Sequence, residues 1–597
     1  MAYKNYVPEN EDRTTYRAKC PRHVVEFELD ATEDQKRGLF ALNERIRKGS
    51  NDVVAEMRKH LEQMKRTKKY RALQKDYKWK AEHLEAMKQK FENSAEAMNG
   101  VSFEESENYK AYTDLEAAKQ HTGNQMSAMQ RKFGVTKTCL KKLMMQASKD
   151  YNFPTVFALT RTDELWKGVE KVLYQGAKDL HFRQFEDFPV MKAKQYDRAI
   201  VLKVDRSAER LVISVGFLGK DYVFPLIVPE KDYFLVDEYN AILDYMEHDG
   251  DGQEKEAVAR MNATNEVVPV FRPCYCAIRC QKIRGRLRCY VQITVAAEPM
   301  PKYDHYGRRR HGLGKGRVGC DIGTQSVAAC ADKSVDLFNL GERNQETLRK
   351  DRMRKAFLLR KMDASRRKTN PDRYNEDGTY KEGSHGPWVR SNKYRKYKAE
   401  IREIDRKEAA TRMYANRENA NYLRSLGDVL ITEPSNTKAL AKRSQKKAER
   451  QEKESVIKKK DGTEKVVRKF KRKKRYGKSI GSRSPGQFQA ELKKKFGSGY
   501  HEVPIATYRA SQYDFELDDY IKKKLSERWH NLPDGRKVQR DLMSSFLMYC
   551  ADDEIQHIDR NRCLAKFDEF WKMHQACMEH IVTKRLRICN SGIAAAQ

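Results

Sequence analysis

Arg317-Val318-Gly319-Cys320-Asp321-Ile322-Gly323-Thr324-Gln325-Ser326-Val327-Ala328 decides how the second half of this 597-residue chain is read. A short apolar run delivers an acid, Asp321, at the centre of a strand. Gly323, just beyond it, allows close approach of a backbone or a ligand. An aspartate among strand residues is costly to bury unless it is paired or holds a metal. The plain alternative is an acid that ends the strand in a polar turn. Downstream the pattern reads strand, turn, strand, two long helices, strand, basic segment, helix, strand, helix, which predicts an α/β domain from about 316 to 550. Thr369 to Ser391, with its Asn, Pro, Gly and Asp, reads as a loop between the two helices.

Two further acids stand out by context. Gly427 is expected to end a helix whose apolar positions include Tyr397, Ile401 and Ile404. A strand Val429-Leu430-Ile431 then presents Glu433 at its carboxyl end, before Pro434 stops pairing. Ligands of open α/β sheets bind outside such ends. Asp541 begins a helix with Leu542, Phe546 and Leu547 facing inward, where favourable interaction with the helix dipole is the competing explanation. Three acids far apart in sequence can converge on a pair of divalent ions about 4 Å apart, the arrangement that assists phosphodiester displacement. Hard Mg²⁺ takes oxygen ligands and needs no Cys or His.

Upstream, Val24 to Leu29 alternates as a strand with two unlike faces. Thr32 and Gln35 form a capping box, and the chain stays helical to about Lys149. Met57, Leu61 and Met64 mark an apolar seam, and Thr136 starts a helix carrying Leu140 and Leu143. From about 185 to 298 the rhythm is that of strands. Ala199–Leu202 and Leu211–Val215 form one expected hairpin; Val267–Cys280 and Leu287–Val295 form another. The strand at 24–29 is expected to pair with this module if the helices are an insertion.

Lys+Arg number 120 against 85 Asp+Glu, a net charge of +35, which makes a polyanion the default partner. Interleaved Tyr and Phe (30 and 23) offer stacking surfaces for bases. No apolar run approaches a membrane span, and Met1–Arg13 lacks the apolar core of a secretory signal. The 12 cysteines include no CxxC pair, against a zinc ribbon. Cys274, Cys276, Cys280 and Cys289 read as strand-core residues, and His574, Cys577 and His580 as part of a packed C-terminal helix.

The sequences GCDIGTQSVA at Asp321, DVLIT before Glu433 and VQRDLMSSFL at Asp541 resemble the three split motifs of a RuvC-like nuclease. Their order is similar to that of the transposon-encoded TnpB nucleases and the type V CRISPR effectors. Ser484-Pro485-Gly486-Gln487-Phe488 resembles the family helix before the last core strand, and Val503 to Gln512 the strand ending in a Ser-Gln pair. The family's four-cysteine ribbon is missing from Tyr513 to Arg540, so it is expected to be lost or replaced by a metal-free helical piece.

The resemblance implies a multidomain α+β protein: a helical recognition lobe inserted in a β-rich wedge domain, then a RuvC-like (RNase H-like) α/β nuclease domain. Its parts would be an N-terminal tail (1–19), the wedge (20–30 and 185–300), the lobe (31–184) and a linker (301–315). The nuclease would follow in two parts (316–440 and 484–550, with the cysteine-free insert at 513–540) around a basic strap (441–483), then a C-terminal helix and tail (551–597). The implied activity is RNA-guided DNA endonuclease, with guide RNA and target double-stranded DNA as partners and no membrane. Asp321, Glu433 and Asp541 would be both catalytic and metal-binding, taking two Mg²⁺ ions (or Mn²⁺) and no zinc. Gly323, Ser511 and Gln512 would lie beside the site. Arg360, Lys361, Lys442, Arg443, Lys471, Arg472, Lys473, Lys474 and Arg475 would contact nucleic acid. The expected setting is the prokaryotic cytoplasm, at the nucleoid, as a monomer with its RNA. Two rival readings stay open: a guided DNA-binding protein that does not cut efficiently, and an RNA-independent transposase or resolvase on the same fold.

Overall fold

Thr32 opens the longest N-terminal helix as its capping box predicts. Its side chain accepts the Gln35 N–H, and Gln35 Oε1 accepts the Thr32 N–H. In the computed structural model, residues 1–7, 93–102, 107, 186, 194–196, 342–344, 377–378, 382, 384–387, 436, 438–450, 459–463, 472–476, 505–507, 523, 525 and 594–597 are not described; the rest are. The chain is a multidomain α+β protein that divides into two compact units, Met1–Tyr303 and Asp304–Gln597.

The first unit begins with α1 (Pro8–Lys19), so most of the expected tail is helical, and buried Tyr16 fixes it to the unit. Among the described residues, strand β1 (His23–Leu29) precedes the α-helices α2 (Glu33–Arg66), α3 (Lys68–Glu92), α4 (Tyr109–Lys132), α5 (Lys137–Asp150) and α6 (Thr155–Tyr174). Leu39, Leu42, Ile46, Val53, Met57, Leu61 and Met64 recur at helical spacing along α2, and all are buried.

Strands β2 (Met191–Lys192), β3 (Asp197–Arg198), β4 (Ile200–Asp205), β5 (Arg210–Ser214) and β6 (Val223–Ile227) follow, then α7 (Tyr233–Glu247) and α8 (Gly250–Thr264), then β7 (Arg272–Ile283) and β8 (Arg286–Ala296). They form one curled antiparallel sheet in the order β2-β7-β8-β1-β6-β5-β4-β3. β1 pairs with β8 on one side and β6 on the other, so α2–α6 are inserted between a strand and its sheet partners. Both expected hairpins form. At the β7–β8 turn Arg284 and Gly285 take positive φ, as a tight hairpin requires.

The second unit is built on β9 (Arg317–Ile322), β10 (Ser326–Ala331) and β11 (Ser334–Asn339), an antiparallel meander. Helices α9 (Gln345–Thr369) and α10 (Asn392–Leu426) lead to β12 (Val429–Thr432). The backbone of β13 (Gln451–Lys458) and β14 (Glu464–Lys471) forms a separate hairpin in the basic segment. Then come α11 (Gly477–Arg483), α12 (Pro485–Phe496) and β15 (Tyr500–Glu502). The central sheet is ordered β11-β10-β9-β12-β15, with β12 parallel to both β9 and β15.

Gly427 does follow the helix, but in extended backbone rather than a left-handed cap. A Cβ there would overlap the Gly316 carbonyl, so glycine serves close backbone approach. Two expectations are corrected. Among the described residues of the strand expected over Val503–Gln512 none is in a strand: β15 ends at Glu502, Pro504 has no N–H for a ladder, Ser511 and Gln512 occupy a turn, and 505–507 lie outside the described residues. The cysteine-free insert holds no helix among its described residues. It consists of two short hairpins, β16 (Tyr513–Asp514) with β17 (Asp519–Tyr520) and β18 (Trp529–Asn531) with β19 (Lys537–Gln539). Pro533-Asp534-Gly535 supplies the second turn, with Gly535 at positive φ and the Asp534 carboxylate accepting the Arg536 N–H. Helices α13 (Arg540–Tyr549) and α14 (Arg560–Thr583) complete the unit.

Candidate active site

Asp321 lies near the carboxyl end of β9, the central strand of the five-stranded sheet. Parallel pairing sets Thr432 opposite Cys320, so Glu433, one step on, comes level with Asp321 on the neighbouring chain segment. The third acid arrives by helix packing. Gly319 shares a strand face with Asp321, and a Cβ on it would overlap the Ser545 carbonyl and the Tyr549 nitrogen of α13. That close crossing lets α13 lie on the sheet with its first turn, and hence Asp541, beside Asp321. Leu542, Phe546 and Leu547 are wholly buried beneath it, as the sequence predicts.

Electrostatics report the same convergence. Burial pushes the Asp321 carboxyl well above the usual carboxylate range, the charges of Asp541 and Glu433 push it further, and Arg540 opposes them. Burial also raises Glu433, against a backbone hydrogen bond from Ala510. The Arg540 guanidinium stands 3.6 Å from Asp541 Oδ1 and donates to the Glu527 carbonyl at 3.1 Å. Among the described residues, no three His, Cys, Asp or Glu side chains already form a metal cage. Asp321 nevertheless feels the negative charge of both Asp541 and Glu433. An all-oxygen donor set with excess negative charge fits a hard divalent cation such as Mg²⁺.

The remaining expected residues separate into groups. Gly323 sits in the β9–β10 turn, its N–H donating to the Ser326 carbonyl at 3.0 Å. Ser511 is exposed, while the same loop reaches the site through the Ala510 amide. Arg360 and Lys361 project from the exposed face of α9, whose other face buries Leu358 against Ile401 and Ile404 of α10. Lys442, Arg443, Arg472, Lys473, Lys474 and Arg475 lie outside the described residues, and Lys471 is described in its backbone alone.

Cys276, Cys280 and Cys289 are buried free thiols of the β7–β8 core. On α14, His574 is buried, Cys577 half-buried and His580 exposed, and they form no metal-holding group among the described residues. Sequence reasoning missed Gly319, Arg540 and Ala510. A glycine inside a strand, two residues before the acid, was the available signal for the first; a backbone amide such as that of Ala510 leaves none.

No family model and no curated protein matches this chain.

Proposed function

We propose that the chain is an RNA-guided DNA endonuclease of the TnpB and type V CRISPR kind, with Asp321, Glu433 and Asp541 as its RuvC-like site. The observation that carries this reading is the meeting of three acids, from two strand ends and a helix start, at one end of the five-stranded sheet. The net charge of +35 and the exposed basic face of α9 support a nucleic-acid substrate. The helical insertion between β1 and its partners supports a recognition lobe that grips a guide–target duplex by shape, leaving sequence to base pairing.

In this reading Asp321, Glu433 and Asp541 hold divalent metal, Mg²⁺ or Mn²⁺. Bound there, the metal supplies Lewis-acid stabilisation of the attacking and leaving oxygens of a phosphodiester. The protein's own groups set the frame. The Ala510 amide holds Glu433, Arg540 balances part of the charge beside Asp541, and the α13–β9 crossing fixes the separation of the acids. Arg360 and Lys361 offer phosphate contacts. The enzyme would act in the cytoplasm as a monomer with its RNA.

The test is to sequence RNA that co-purifies with protein expressed beside its native flanking DNA, then to challenge the complex with matched DNA. A discrete RNA, with a constant scaffold joined to a variable segment, is expected. So is Mg²⁺-dependent cleavage that Asp321→Ala abolishes while DNA binding persists. Heterogeneous host RNA, with cleavage that ignores sequence, would favour an RNA-independent nuclease. Guided binding with equal, negligible cleavage by both proteins would favour the non-cutting reading.

A further inference from the structure

The C-terminal segment, expected only as a packed helix and tail, is hydrogen-bonded into the acid cluster through one wholly buried residue, Gln539. Its backbone N–H donates to His574 Nε2 of α14 at 3.1 Å. Its side-chain oxygen accepts the Leu542 N–H at 2.9 Å, capping α13. Its side-chain nitrogen donates to Asp541 Oδ2 at 3.3 Å and to the Ser591 carbonyl at 3.2 Å. The amide has only one chemically consistent orientation. Flipping it would set its NH₂ against the Leu542 N–H and its oxygen against two acceptors.

The far end of this linkage is anchored too. Asn339, ending β11, donates to the Arg587 carbonyl at 2.7 Å and accepts the Cys589 N–H at 2.8 Å. Ser591 is itself buried; its hydroxyl donates to the Ile588 carbonyl at 3.0 Å and accepts the Ile593 N–H at 3.1 Å. The tail carbonyl that receives Gln539 is therefore fixed by the sheet edge and by its own turn.

We propose that Gln539 is a positioning residue for Asp541: it sets the direction of the carboxylate in the acid cluster, and the segment 588–593 holds Gln539 in place to do so. This rests on the reading of the three acids as a metal site. With Oδ2 tied to Gln539 and Oδ1 beside Arg540, the carboxylate is presented in one rotation. Without the amide only Arg540 restrains it, and a cation must supply the rest of that restraint on binding. Hydrogen bonds to a metal's carboxylate ligands set affinity in this way, commonly by 10- to 100-fold. The linkage also makes the tail part of the site's support.

The test separates positioning from capping. Gln539→Ser retains a side-chain acceptor for the start of α13, since serine is a preferred cap, but cannot reach Asp541. In the full-length protein, Mn²⁺ binding is measured by calorimetry beside Mg²⁺-dependent cleavage and thermal unfolding. Gln539→Ser is expected to weaken Mn²⁺ binding roughly 10-fold and to raise the Mg²⁺ needed for half-maximal cleavage by a similar factor. Saturating metal should recover most of the rate, even though the lost Ser591 bond and the vacancy left in the buried site lower the unfolding midpoint by a few degrees. Deleting 588–597 should move metal affinity in the same direction, and it is the second variant should Gln539→Ser fold poorly. Wild-type Mn²⁺ affinity in a folded Gln539→Ser protein would overturn the proposal and leave the nuclease reading intact. Mn²⁺ binding that is identical in wild type and Asp321→Ala would overturn both.

Discussion

Glu254 and Asp321 are both acids held within protein, one in each unit, and their surroundings are opposites. Glu254, on α8, has a fully buried side chain and receives Arg13, Arg17 and Arg272, with Arg17 bound through two nitrogens at 2.6 Å. Burial alone would raise its carboxyl, but hydrogen bonds from Arg17 and Arg13 outweigh it and hold the group below the usual range. Asp321 meets two other acids and a single arginine, and its carboxyl is raised. The first arrangement is electrically complete and ties α1 and the start of β7 to α8. The second crowds negative charge, which a cation would offset in the proposed reading.

The largest effect expected from this contrast is on catalysis. Asp321→Ala should reduce guided cleavage about 1,000-fold, equivalent to about 4 kcal/mol of transition-state stabilisation, with little loss of stability; an activity within tenfold of wild type would break the comparison. Glu254→Ala should do the reverse. It strands three arginines around a buried vacancy and should cost the first unit about 3–5 kcal/mol, read from its denaturant midpoint, while cleavage per folded molecule stays near wild type.

His574 sharpens the contrast with a third kind of buried ionisable group, one kept neutral. Burial lowers its pKa to about 4 from the usual 6.5, and it accepts the Gln539 N–H. The unfolded chain therefore binds a proton below pH 6.5 that the folded chain refuses until about pH 4. Stability from this source is complete above pH 6.5 and declines as pH falls between those values, by up to about 3 kcal/mol. The measurement is the unfolding midpoint of wild type against His574→Gln from pH 7 to pH 4.5. The gap should close or reverse toward acid; a constant gap would contradict the assignment. The smallest effect belongs to exposed pairs. Arg37→Ala breaks a contact with Asp34 whose partners are both largely in water, and should change stability by less than about 0.5 kcal/mol.

Much of this was legible because period and spacing are local signals. The Thr32 capping box, the α2 seam, both hairpins and the three acid-bearing ends follow from residue types at fixed offsets. The unread parts depend on encounters between distant segments. No pattern around Gly427 distinguishes a left-handed cap from extended backbone pressed on Gly316. The insert at 513–540 forms hairpins rather than a helical piece, and Pro533-Asp534-Gly535 is the local signal for the second of them. Gln539 gives no warning either, because glutamine is not a common cap and its other partners, His574 and Ser591, arrive from far along the chain.

The most direct test of the central claim is the unfolding midpoint of the second unit for wild type and Asp321→Asn, in chelator and in Mg²⁺. Neutralising Asp321 should raise the midpoint in chelator by a few degrees, about 2–4 °C for each 1 kcal/mol of relieved repulsion. It should also remove the stabilisation that Mg²⁺ gives the wild type. A midpoint that falls in chelator, or an unchanged response to Mg²⁺, would make Asp321 a structural acid like Glu254 and contradict the account.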